Sequence, residues 1–146
     1  MYQFIDRHPD QLSKTFKFLL WAMRGWAFAN GRNDCPPITL HRGFSDAGAA
    51  SALSDFHIAM ILLNGDPLER LTLAPMGECR IFEDEAILLA LWRGVGSDST
   101  LVDGTLERLV RHEAVRPVAR AMAACGTQLA MAGFDLSDAH RQKIED

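Results

Sequence analysis

Residues Gln11 to Asn30, QLSKTFKFLLWAMRGWAFAN, constrain the fold more than any other stretch of the chain. At about 100° per residue, Leu12, Phe16, Leu19, Leu20, Met23, Trp26 and Ala27 fall within one broad stripe, the spacing of an amphipathic helix. The opposite face of such a helix is normally polar. Here it carries Phe18, Trp21 and Phe28 among Lys14, Lys17 and Arg24. A helix with bulky apolar groups on both sides is either central to its domain or shared with a partner. The cations can lay their methylene stems on the rings while their heads stay wet. The stretch is therefore expected to be a central helix that offers Phe18, Trp21 and Phe28 as anchors for a partner or a second copy.

This is not a membrane span, because the uncharged run between Lys17 and Arg24 is far shorter than the ~20 apolar residues that crossing requires. Acidic Asp6 and Asp10 precede it, and no small-residue cleavage pattern follows, which argues against an export signal. A chain of 146 residues can bury about 68–70% of its unfolded surface without a disulfide or a metal. A net charge of −4 argues against a nucleic-acid-binding protein, whose affinity comes from concentrated positive charge. Cys35, Cys79 and Cys125 are odd in number and widely spaced, a pattern of reduced thiols in a cytoplasm rather than of a disulfide framework.

Taken in order, His8-Pro9-Asp10 supplies a start for the first helix, since proline suits an early helical position and aspartate the positive helix end. Gly31 to Pro37, GRNDCPP, reads as a loop whose prolines forbid helix continuation. Ala49, Leu53, Phe56, Met60 and Leu63 recur at alternating intervals of four and three, predicting a helix over Asp46 to Leu63. Its end, His57 to Leu63 (HIAMILL), is apolar on all sides and is expected to be deeply buried. Asn64-Gly65-Asp66-Pro67 stops it. Leu68 to Pro75 alternates in part and is expected to be extended, a short helix or an irregular linker. A third helix is predicted over Phe82 to Arg93, a short one over Thr105 to Glu113, and a last one over Pro117 to Ala132, ended by Gly133. On the last helix Ala119, Ala123, Gly126 and Ala130 make a stripe of small side chains that lets a neighbouring helix approach closely. The expected architecture is a single all-α domain over residues 1–136 with about five helices, followed by a polar, frayed tail over 137–146.

Glu85 projects among Ile81, Leu88, Leu89 and Trp92, and burial there would raise its pKa as a general acid requires. In the first turn of a helix the same side chain can satisfy free backbone N–H groups, and this structural role is the preferred reading. Cys35, His41, Cys79 and His112 have no zinc spacing, and Cys79 carries no local mark of a nucleophile. Cys125 reads as core packing. Arg108, Arg111, Arg116 and Arg120, with His112, make a locally basic region that Glu107 and Glu113 dilute, which reads as a solvated face. The glycines of Gly94-Val95-Gly96 lack the strand and the extension of a dinucleotide fingerprint. No catalytic residue, cofactor or metal is assigned.

The pattern from Pro75 to Leu91, PMGECRIFEDEAILLAL, resembles a group of short helical proteins of alphaproteobacteria in which a proline and cysteine loop precedes an Asp-Glu pair opening an apolar helix. The pair here is Asp84-Glu85, and the loop holds Cys79 alone where the group often has several cysteines. The resemblance implies an all-α fold in a bacterial cytoplasm and no particular activity. The leading expectation is thus a non-catalytic interaction or regulatory protein, a homodimer or a partner-bound chain associating through apolar surface near Phe18, Trp21 and Phe28. The alternative is a small-molecule-binding protein or enzyme with an inter-helix pocket given polarity by Glu85, His57 or His112.

Overall fold

The computed structural model describes residues 4–5, 7–65 and 68–137. The expected frayed tail, apart from Ser137, lies outside the described residues, as do Asp66-Pro67 of the expected stop. Among the described residues the chain is all α: α1 (Lys14–Gly31), α2 (Pro36–Asp46), α3 (Leu53–Gly65), α4 (Glu83–Val95), α5 (Ser99–Leu109) and α6 (His112–Met131). No helix among them is long and apolar enough to cross a membrane.

Six helices replace the expected five, and α2 is the addition. Pro36 and Pro37 do end the preceding segment, but they stand in the first turn of α2, where a missing N–H costs nothing and the fixed φ suits the helix. Between α1 and α2, Asn33 takes the left-handed conformation at φ 60°, which asparagine tolerates better than most residues. The single helix expected over Asp46 to Leu63 is divided. Gly48 turns the chain at φ 73°, the Ala49 N–H donates back to the Phe44 carbonyl at 2.8 Å, and a 3-10 turn over Ala50–Ala52 leads into α3.

The other boundaries follow capping chemistry. Ser13 receives the Phe16 N–H and opens α1. Asp98 receives the Leu101 N–H at 3.1 Å, so α5 begins at Ser99 and ends at Leu109 rather than running over the expected Thr105 to Glu113. Pro117 stands inside α6 rather than at its start. The carbonyl left without an intrahelical donor belongs to Glu113, which is exposed and open to water.

The core is assembled around α3 and α6, which share the most extensive helix contact, with α1 against α2 next. Phe56 stacks on Trp92 at 6.0 Å, and Phe44 meets Phe56 at 5.5 Å, linking α2, α3 and α4. Cys125 is buried on α6 beside the Ala52 carbonyl, and burial pushes its thiol up to about 12, as inert core packing requires. The Leu68 to Pro75 segment is irregular. It is pinned instead by its amides: Leu68 N–H donates to the Leu109 carbonyl, Thr72 N–H to the Asp84 carboxylate and Ala74 N–H to the Glu85 carboxylate.

Candidate functional site

Four sequence features bear on function: the bulky second face of α1, the Glu85 carboxylate, the apolar HIAMILL segment and the basic start of α6. On α1, Phe18 and Trp21 are half-buried by their own chain. Phe18 meets Phe44 edge-on at 4.8 Å and stacks on Phe134 at 5.1 Å. Trp21 lies across α2 at Gly43, where a side-chain carbon would fall inside the indole ring's contact distance. The cover for these rings is thus mainly α2, the helix without a clear sequence signal. Phe28, 51% exposed, carries the Arg32 guanidinium over its ring at 5.3 Å.

Arg24, on the same helix, does not keep its head in water. Its guanidinium is buried and grips Glu85 on two edges, Nε to Oε2 at 2.7 Å and Nη2 to Oε1 at 3.0 Å. The remaining Glu85 contacts are Phe82 N–H to Oε1 at 2.9 Å and Ala74 N–H to Oε2 at 3.1 Å. Arg24 also donates to the carbonyls of Glu78 and Arg80, both at 2.9 Å. A carboxylate offers about four acceptor positions, and here four N–H groups converge on it, leaving none for a substrate proton. The geometry makes Glu85 the knot that ties α1, α4 and the 72–80 connection together.

His57 stands on α3 with its Nδ1 accepting the Trp26 indole N–H at 2.9 Å. Its ring is therefore held neutral with the proton on Nε2, and burial pushes its pKa below the ordinary histidine value. His57, Glu85 and His112 are not brought into one pocket: His57 is bonded to α1, Glu85 is enclosed, and His112 lies on the exposed rim of α6 beside Glu107 at 3.2 Å.

The HIAMILL segment is not buried all round. Phe56, Ala59, Met60 and Leu63 face inward, whereas Ile58 and Ile61 are 44% and 46% exposed, with His57 and Leu62 half-buried beside them. A helix side that meets water normally carries polar residues. On α3 these are Ser54, Asp55 and Asn64 toward the ends and His57, whose Nδ1 is engaged by Trp26, so Ile58 and Ile61 stand exposed in the middle of its outer face. The signal was present in the sequence as a segment without a polar side, but the same pattern also describes a fully buried helix.

The small-residue stripe of α6 is not covered by a helix along its whole length. Gly126 lies close to Leu136 and Val95, while Ala119 and Ala123 border an open groove of about 480 Å³ between α5 and α6. Val95, Val102 and Val115 form its apolar floor. Asp103 and Glu107 stand on the α5 wall, and His112, Arg116 and Arg120 recur every four residues on the α6 wall. Among the described residues no group of three or more His, Cys, Asp or Glu side chains is placed to hold a metal ion. No protein-family model matches the chain, and neither a curated protein nor a solved structure matches it.

Proposed function

We propose that this chain is a non-catalytic interaction protein that associates with a second copy of itself through the outer face of α3. The observation that carries this reading is the exposure of Ile58 and Ile61 in the middle of the outer face of α3. Two such faces crossing about a two-fold axis would set Ile58 and Ile61 of one copy against the same residues of the other, the self-complementary arrangement of symmetric dimers. Phe18 and Trp21, anchored against Phe44 and Gly43, support α1 from within rather than serving as the contact.

The magnitude is modest. Each isoleucine has about half its surface left to bury, worth on the order of 1 kcal/mol, and association must offset at least about 4 kcal/mol of lost rigid-body freedom. The four isoleucines alone only balance that cost, so further burial of the half-buried His57 and Leu62 of each copy must supply the net affinity, and the dimer is weak, no tighter than about millimolar. Multi-angle light scattering on the parent, on Ile58→Glu with Ile61→Glu, and on Phe28→Ser separates the two surfaces. The α3 variant should remain monomeric at concentrations where the parent and Phe28→Ser gain mass. Loss of association in Phe28→Ser alone would move the contact to α1, and mass unchanged in all three would remove the proposal.

A further inference from the structure

The α5–α6 groove is independent of the α3 face, and its two walls carry opposite charge. At the end where α5 turns into α6 the walls close on each other through Glu107 and His112, 3.2 Å apart. One helical turn farther from that closure on each side stand Asp103 and Arg116, and beyond Arg116 stands Arg120. Among the described residues Asp103, Arg116 and Arg120 make no side-chain hydrogen bond or ion pair. Opposed charges that face one groove without reaching each other leave room for a molecule bearing the complementary pair.

We infer that this groove binds a small zwitterion with an apolar body, of the size and chemistry of a dipeptide with aliphatic side chains. Its carboxylate would pair with Arg116 and Arg120, whose planar guanidinium groups suit a carboxylate better than a point cation would. Its ammonium would pair with Asp103 on the facing wall, and its side chains would lie on Val95, Val102 and Val115. A simple anion would leave Asp103 facing it unfavourably across the groove, and a simple cation would meet two arginines. The groove's volume of about 480 Å³ is within the ~300–1,000 Å³ range of small-molecule sites.

The test uses the full chain, isotopically labelled, and follows backbone amide shifts during titration with L-leucyl-L-leucine, its N-acetyl derivative and its C-terminal amide. The free dipeptide should move amides of α5 and α6 to saturation. Each blocked form, lacking one charge, should bind about fivefold more weakly, the effect of one partly exposed ion pair. Asp103→Asn should weaken the free dipeptide while leaving the N-acetyl form unchanged, and Arg116→Gln with Arg120→Gln should weaken the free dipeptide while leaving the amide form unchanged. The same spectra report that each variant is folded. An N-acetyl form or an amide that binds as tightly as the free dipeptide, or shifts that fail to saturate by about 10 mM or fall outside α5 and α6, would overturn the inference.

Discussion

Arg24 and Glu85 are separated by 61 positions in sequence and joined by two charge-assisted hydrogen bonds in the core. Breaking such a pair from one side leaves a buried charge without its partner, which costs about 3–5 kcal/mol. Glu85→Ala should lower the unfolding free energy by that amount in a urea titration. Arg24→Lys, which keeps the charge but cannot span both carboxylate oxygens and two carbonyls, should also destabilise, by less. A loss within about 0.5 kcal/mol in either variant, the scale of ordinary surface substitutions, would mean the knot is not holding the fold. Glu85's first-turn position and its apolar neighbours could be read from the sequence. Its partner could not, because Arg24 sits among exposed-looking cations and only the fold brings it to α4. His57 gives a second test. Burial lowers its pKa in the folded chain, so the unfolded chain takes up a proton at the higher pH. Its contribution to stability is complete above about pH 6.5 and declines as pH falls through the window below that value toward the folded pKa. His57→Gln, which retains an acceptor for the Trp26 N–H, should show a shallower loss of stability between about pH 6.5 and 5 than the parent. An unchanged slope would exclude His57 as the source.

Helix α2 decides how α1 is seen. Its inward residues are Pro36, Leu40 and Phe44, with Gly43 beneath the Trp21 ring. Few apolar positions on a short segment opened by two prolines give little periodicity, which is why α1 shows its second apolar face in sequence without revealing what covers it. The α1, α4 and α6 cores were readable because each carries apolar residues at helical spacing, although the start of α6 lies at His112 and not at the expected Pro117. The α3 boundary was not, because Gly48 adopts a left-handed turn that periodicity does not register. Gly43→Val tests the packing of α2 on α1. The added carbons must displace the indole, so the variant should lose about 1–3 kcal/mol of stability and shift its tryptophan emission to the red as Trp21 gains water. Unchanged emission and stability would place Trp21 elsewhere.

Among the described residues, most apolar surface of α1, α4 and α6 is enclosed by neighbouring elements, with Phe28 and Met131 near helix ends left exposed, and the 72–80 connection is fastened to α4 by backbone hydrogen bonds to carboxylates. Helix α3 differs in being central on one side and aliphatic toward water on the other. That asymmetry underlies the reading of this chain as a self-associating protein, and it is a property of the assembled fold: HIAMILL alone is equally compatible with complete enclosure. Sedimentation equilibrium of the unmodified chain, over roughly a hundredfold range of concentration reaching about 1 mM, tests it most directly. The apparent mass should rise smoothly from monomer toward dimer across the upper part of that range. A mass that stays at the monomer value throughout would contradict the account.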